Sequence, residues 1–248
     1  MAKGSYINKT PILITHCAAW LDGADTRIEN IISSGGLVSA INNKADPRNP
    51  FIQATSGNQP LTGVSTMAGK NVLTFDGTND YLSCNALASV FTGNDTPVSV
   101  FAVHKPTNTS PIGPTIWSAG NSASSFGLFM HDNSTNFNAS RIVKRDNASA
   151  AVFASTAVIP ANTPTIMSMS CAGTTLKAWK NGTLFYNGAF NVGTVTFDRF
   201  TIGARPNPPD YFYVGDIAEI IIYNRALSDS EVASIEDYLG NKWGIAIS

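Results

Sequence analysis

Charge is scarce in this sequence. Asp, Glu, Lys and Arg together make 13% of its 248 residues, against about 25% in an ordinary soluble domain, and Ser, Thr, Asn and Gly fill the gap. With a net charge of −1 and no run of Lys or Arg, the chain lacks the clustered cations that phosphate binding needs, so no nucleic-acid partner is expected. Cysteine is scarce too. An odd, scattered set of three, Cys17, Cys84 and Cys171, without any Cys-x-x-Cys, supplies neither a disulfide framework nor a zinc site. No apolar stretch approaches the ~20 residues that span a bilayer, and the opening MAKGSYINKTPILITHCAAW has no continuous apolar core of signal-peptide length. These absences lead to the expectation of a protein folded in a reducing cytoplasm, with no membrane partner. The three histidines, His16, His104 and His131, lie far apart, and no His-Glu-x-x-His, Gly-x-Ser-x-Gly elbow or phosphate-binding loop appears.

What the chain does have is a rhythm of short apolar stretches separated by turn residues, which predicts a sandwich or barrel. Strands are expected at NVLTF (71–75), PVSVFAVHK (97–105), FGLFMH (126–131), AAVFAS (150–155), PTIMSMSCA (164–172) and RFTIGA (199–204). In PTIMSMSCA the apolar Met167, Met169 and Cys171 alternate with Ser168 and Ser170, as in a half-buried strand. Asn181-Gly182 supplies the two positive-φ positions of a type I′ turn and predicts a hairpin. The stretch DIAEIIIYN (216–224) is mostly apolar on both faces, which marks a central strand covered on both sides. Strict alternation puts Ala218, Ile220 and Ile222 on one face and Ile217, Glu219, Ile221 and Tyr223 on the other. Beyond it, Ser228 with Glu231 forms a capping box, and Val232, Ile235, Leu239 and Trp243 recur at helical spacing. One short helix therefore closes the chain. No repeat or linker divides it: residues 1–12 are expected to form an arm, and residues 13–248 one domain.

Three blocks carry a family resemblance. They are AAWLDGADTRIENIISSGGLVSAINNKADPRNPFIQATSGNQP (18–60), NVLTFDGTNDYLS (71–83) and VGDIAEIIIYNRALSDSEVASIEDYLGNKWGI (214–245). Together they resemble the laminin-G-like jelly rolls of the concanavalin A-like lectin/glucanase superfamily, of the kind found in phage virion proteins. The resemblance implies an all-β fold, a two-sheet antiparallel β-sandwich (jelly roll) with a short C-terminal α-helix. It implies no single activity, since members include lectins, enzymes, adhesins and virion proteins. One departure matters. Relatives carry an aromatic residue and then Asp-Lys-Ser-Gly after the Gly-Gly turn, whereas this chain has Ile41-Asn42-Asn43-Lys44-Ala45, so the carboxylate expected near Asn43 is missing.

Retaining glucanases of that superfamily carry their carboxylates on one strand as Glu-x-Asp-x-x-Glu, the close pair that glycoside hydrolysis needs. The pattern is absent here. The only Glu residues are Glu29, Glu219, Glu231 and Glu236; the last two fall on the closing helix, and Glu219 stands alone on its strand. Glu219 is expected to be a buried ion-pair or hydrogen-bond partner, with Arg205 or Arg225 as its counterpart. No catalytic residue is expected, and the protein is not read as an enzyme. In the acidic stretch FDGTNDYL, Asp76, Asn79 and Asp80 are weak calcium candidates. The favoured reading is a turn in which Asx side chains bond local amides while Phe75 and Tyr81 anchor the flanking strands, with no cofactor. Sugar contacts, which use stacking aromatics with nearby Asn and Asp, have candidates in Trp117, Asp132, Asn133, Tyr211 and Tyr213. The leading expectation is a virion structural protein, a capsid decoration or tail or fibre component, whose partners are other virion proteins and further copies of itself. The alternative is an adhesion module recognising a surface glycan; a glycoside hydrolase or lyase ranks third.

Overall fold

The structure, a computed structural model, describes residues 10–107, 114–122, 124–134, 139–147, 151–157, 159–191, 193–206 and 209–248. Two antiparallel sheets and one helix form three layers. The first sheet is built around Val214–Tyr223, the expected central strand. Val98–Pro106 runs along one of its edges, while Lys70–Asp76 and Cys17–Asp22 share the other. Beyond Val98–Pro106 come Thr165–Ala172, Thr175–Lys180 and Thr183–Ala189. The second sheet runs Ile31–Ser34, Leu37–Ile41, Phe51–Ile52, Leu82–Ser83, Arg199–Ile202, Thr115–Asn121, Ser124–Ser134, Ala139–Arg145 and Ala151–Ala157. Leu61–Met67 pairs with Lys70–Asp76 in the first sheet, and among the described residues its Leu61 pairs with Leu37 to join the two sheets at one margin. The all-β sandwich with a C-terminal helix is therefore the architecture observed, and each of the six stretches expected to be extended overlaps a strand, with Pro97, Pro164, Gly203 and Ala204 outside it and position 150 outside the described residues.

Alternation along the strands sorts side chains between two cores. In the first sheet Val98, Val100, Ala102, Met167, Met169 and Cys171 point into the space between the sheets. Their neighbours Phe101, Val103 and Ile166 point the other way, where they meet Val232, Ile235, Leu239 and Trp243 of the helix Asp229–Trp243. The central strand departs from strict alternation. A bulge between Ile217 and Glu219 interrupts its pairing with Val98–Pro106, so Ile217, Ile220 and Ile222 share the inter-sheet core while Ala218, Ile221 and Tyr223 lie under the helix. The extra residue of a bulge shifts the facing by one position, which corrects the expected split at Ile217 and Ala218 and leaves it as expected from Glu219 to Tyr223.

Local signals behave as chemistry requires. Asn181 and Gly182 have φ of 50° and 83°, the type I′ pair, and a Cβ on Gly182 would meet Ile247 at 2.6 Å. Ser228 Oγ accepts the Glu231 N–H while the Glu231 carboxylate accepts the Ser228 N–H at 3.0 Å. Gly244 ends the helix at φ 68°, a left-handed position that suits glycine. At the other terminus residues 1–9 lie outside the described residues. Pro11 is buried, and its carbonyl accepts the Tyr223 hydroxyl at 2.9 Å, so the chain is docked on the sandwich within the stretch expected to be an arm.

Candidate functional site

The acidic turn comes first. Asp76 Oδ1 accepts the N–H groups of Thr78 (2.8 Å) and Asn79 (3.2 Å), and Asp80 Oδ2 accepts the Asp76 N–H at 2.9 Å. Oxygens that hold their own loop's amides make an Asx turn. Gly77 takes φ 78°, where a Cβ would strike Val214 at 2.7 Å. Phe75 anchors the turn in the core against the edge of Tyr213. Leu82 rather than the half-buried Tyr81 anchors the other side. Asp80 is nearly buried, and burial pushes its carboxyl up to about 6, with the Asp76 charge adding to the rise. A carboxyl with a raised folded pKa helps stability below its unfolded pKa of about 3.9 and loses that contribution as pH climbs through 6. Asp80→Asn keeps the acceptor for Asp76 N–H, so the variant is expected to be about 1 to 2 kcal/mol more stable than the parent at pH 8. The gain vanishes below about pH 4, and urea unfolding at the two pH values checks it.

The other carboxylates are committed to the frame. Glu219, 1% exposed, accepts the indole N–H groups of Trp20 and Trp243 at 2.7 Å each and the Tyr238 hydroxyl at 3.1 Å, and pairs with Lys242 Nζ at 2.7 Å. Burial pushes its pKa up, and the Lys242 ammonium pulls it back down. Lys242 also reaches Asp22 at 2.6 Å, Lys44 joins Asp22 to Asp25, and Arg27 closes the chain of charges on Asp25. Its partners are not the expected arginines: Arg205 pairs with Asp210 and Arg225 with Glu231. The reason is its face: Glu219 lies on the side of Ile221 and Tyr223, under the helix that carries Lys242. Glu236 is buried and accepts the Ser168 hydroxyl at 2.6 Å. Among the described residues no group of three or more His, Cys, Asp or Glu side chains clusters to hold a metal ion.

The sugar-contact candidates do not converge. Trp117 is 0% exposed, stacked against Phe91 and Phe200 with ring centroids 5.7 and 6.1 Å away, so it offers no face to a sugar. Tyr213 is equally buried, its hydroxyl 3.0 Å from His104 Nδ1, and burial lowers that imidazole's pKa to about 3. Both expectations are corrected by burial. The side chains of Asp132 and Asn133 lie outside the described residues, although the backbone there belongs to Ser124–Ser134. Tyr211 is half-buried, with the Arg205 guanidinium 3.6 Å over its ring and Arg205 held by both Asp210 oxygens.

The strand register shows which residues of the second sheet face away from the core. In the second sheet Ile41 pairs with Phe51, and Leu82, Ile202, Trp117, Met130, Ile142 and Ala154 are successive cross-strand partners; all belong to the inter-sheet core. The adjacent row must then face outward. It runs Ile32, Ala40, Ile52, Ser83, Thr201 and Ser118, then through position 129 to Val143 and Phe153. Its ends are exposed and apolar, Ile32 at 46% and Phe153 at 42%, while in its middle Thr201, Ser118 and Val143 are buried and Ser83 is half-buried. Beside that middle lies a cleft of about 230 Å³. Its floor is Ser83 and Thr201, flanked by Tyr81, Asn85 and Arg199, two residues along the same strand faces, and its wall is Pro206 and Pro209 of the hairpin that also bears Arg205 and Asp210. Asn85 uses Oδ1 to accept the Phe200 N–H at 3.4 Å. The Arg199 side chain is exposed and makes no hydrogen bond or ion pair with any described residue.

A family model for the concanavalin A-like lectin/glucanases superfamily matches residues 76–233. The chain belongs to this superfamily. No curated protein matches it in sequence. Among solved structures, this concanavalin A-like domain superposes on domain 4 of AbnA, a GH43 extracellular arabinanase from Geobacillus stearothermophilus, in complex with arabinotriose. The TM-score is 0.60 at 16% identity, over 90% of this chain and 97% of that one. The CBM40 of the Ruminococcus gnavus IT-sialidase, bound to α2,3-sialyllactose, gives 0.54 at 13% identity over 66% and 95%. A Trypanosoma rangeli sialidase in complex with the inhibitor DANA gives 0.61 at 14% over 89% of this chain, which spans only 32% of that enzyme. Likenesses at this distance show the fold alone.

Within the superfamily's pattern, the departure at Asn43 has a structural cause. Asn43 is fully buried; its Oδ1 accepts the N–H groups of Trp20 and Ala45, and its Nδ2 donates to the Ala18 carbonyl, each at 3.0 Å. A carboxylate has no donor for Ala18. The amide here is a splice between the first strand and the following loop. What sequence reasoning missed in this concanavalin A-like domain is the meeting of Tyr81 and Asn85 with Arg199, which lies more than a hundred residues further along the chain and reaches them only because Leu82–Ser83 pairs with Arg199–Ile202.

Proposed function

We propose that this domain is a non-catalytic glycan-binding module whose site is the cleft over Ser83 and Thr201. The observation that carries the reading is the location of that cleft. The helix covers the outer face of the first sheet, whereas the outer side of the second sheet keeps this cleft, whose lining gathers an aromatic ring, an amide, hydroxyls and a guanidinium. Those are the groups that grip a pyranose, by stacking on its apolar face and bonding its hydroxyls. A volume of about 230 Å³ is below the usual range for drug-sized ligands, roughly 300–1,000 Å³, and suits one sugar ring with the rest of the chain lying across the sheet. Hydrolysis needs two carboxyls flanking the bond, and the cleft is lined by none. The superfamily membership and the two like-sized neighbours in complex with oligosaccharides support the same reading. Tyr81→Ala is expected to weaken glycan binding about tenfold with the fold intact, read by calorimetry after a polysaccharide panel has found a ligand. Unchanged affinity would move the site elsewhere.

A second reading, that the module is mounted on a virion, is favoured by the three unbridged thiols. Burial raises the Cys17 and Cys171 pKa to about 12 and about 11, which keeps them inert and suits assembly in a reducing compartment. A defined homo-oligomer by light scattering supports it; a strict monomer at fibre-like concentrations counts against it.

A further inference from the structure

The charge state of the cleft says which glycans it takes. Two arginines stand at the Pro206–Pro209 wall and the adjoining strand. Arg205 is neutralised: its guanidinium forms a two-point pair with Asp210, at 2.8 and 2.6 Å, and stands 3.6 Å over the Tyr211 ring. Arg199 is not. Its sequence neighbour Asp198 points to the opposite strand face, where Ser122 holds it through its N–H (2.7 Å) and its hydroxyl (2.5 Å). Those bonds, with a smaller contribution from the Arg199 charge, keep the Asp198 carboxyl below its usual range. Tyr81, Ser83, Asn85, Thr201, Pro206 and Pro209, the rest of the lining, bring no negative charge. The cleft thus carries one uncompensated guanidinium beside an aromatic ring and an amide.

We propose that Arg199 makes this a site for acidic glycans, with the guanidinium receiving the carboxylate of a uronic or nonulosonic acid unit while Tyr81 and Asn85 hold the ring. The proposal rests on the glycan-binding reading of the same cleft. The geometry favours a carboxylate because a guanidinium presents two parallel N–H donors that match its two oxygens. In a chain with a net charge of −1, long-range attraction of polyanions is weak, so selectivity comes from this one contact and is moderately salt-sensitive.

The test is a binding panel in calorimetry at two salt concentrations. It contains oligogalacturonate and its carboxyl-reduced neutral form, sialyllactose and lactose, and a sulfated glycan of matched length. The expected result is binding of one or both carboxylated ligands, loss of about 10- to 100-fold on carboxyl reduction or desialylation, and a similar loss in Arg199→Gln. Tyr81→Ala weakens acidic and neutral ligands alike. Preference for the sulfated glycan over both carboxylated ones would overturn the carboxylate assignment. Equal affinity for the acidic and neutral forms, unaffected by Arg199→Gln but lost in Tyr81→Ala, overturns the acidic-glycan inference and leaves the glycan site standing. Acidic-ligand binding indifferent to both substitutions, or no binding to any member, overturns both.

Discussion

Glu219→Gln is expected to lower the unfolding free energy by about 3 kcal/mol, a fall of about 6 to 12 °C in Tm for a domain of this size. The substitution changes almost no volume, so the loss is electrostatic. Four donors converge on this carboxylate: two indole N–H groups, a tyrosine hydroxyl and the Lys242 ammonium. An amide accepts through one oxygen only and turns its NH₂ against donors already facing it, leaving at least one buried N–H without an acceptor. Lys242 retains Asp22 at 2.6 Å, which is why the expected cost sits at the low end of the ~3–5 kcal/mol seen when a buried pair is broken. Urea unfolding of the two proteins at pH 7 measures it. A lone carboxylate on a central strand of this superfamily invites a catalytic reading, and catalytic groups are often held at a cost to stability. A variant as stable as the parent that had also lost release of reducing ends from a glycan would show Glu219 to be an active-site residue.

That network also explains the closing helix. A 15-residue amphipathic helix has little stability alone. Here Val232, Ile235 and Leu239 supply apolar burial, Glu236 ties it to Ser168, and Lys242 and Trp243 end in the carboxylates of two different strands. Asp22, Asp25 and Glu219 are matched by Lys44, Lys242 and Arg27, with the exposed Glu29 also reaching Arg27 at 3.4 Å. The cluster's geometry holds the helix in one register over the sheet, and it blocks that face to any ligand.

What was legible in the sequence was local. The Asn181-Gly182 turn, the Ser228–Glu231 box and the Asp76-Gly77 turn each depend on residues within four positions of one another, and each forms as read. The inter-sheet face of Met167, Met169 and Cys171 follows from alternation. The central strand was legible as two-faced but not as bulged, because an apolar residue at every position hides a one-residue slip. Glu219's partners were not legible either: Trp20 lies 199 residues upstream and Lys242 on a helix whose rotation over the sheet is a packing outcome. The same limit hid the cleft. Tyr81, Asn85 and Arg199 are ordinary surface residues until Thr201 is registered against Ser83.

Trp117→Ala is expected to destabilise the domain by about 3 to 5 kcal/mol, the range for removing a buried aromatic. In the sequence Trp117, within GPTIWSAGNSAS, is one of several candidate sugar contacts. In the fold the residues around it are small because the strand is packed on both faces: Ile116, Trp117 and Ala119 are all fully buried. Trp117 stacks on Phe200 at an interplanar angle of 13° and on Phe91 at 30°, and Phe200 meets Phe51 edge-on at 6.0 Å. The rings come from three strands of the second sheet and the segment before Gly93, so deleting the indole opens a cavity that four backbone elements would have to close. One more observation separates packing from recognition. The indole N–H is buried without a hydrogen-bond partner, whereas a tryptophan placed for a polar ligand would keep that donor useful. Trp117→Phe removes the unsatisfied donor and keeps most of the stacking, so it is expected to cost less than about half of the alanine variant. Calorimetric Tm values for the two variants, with glycan affinity measured on the folded fraction, decide the matter. A large stability loss with affinity unchanged places Trp117 in the core's service. Lost affinity at full stability would return it to the binding face and remove the ground for siting the ligand over Ser83 and Thr201.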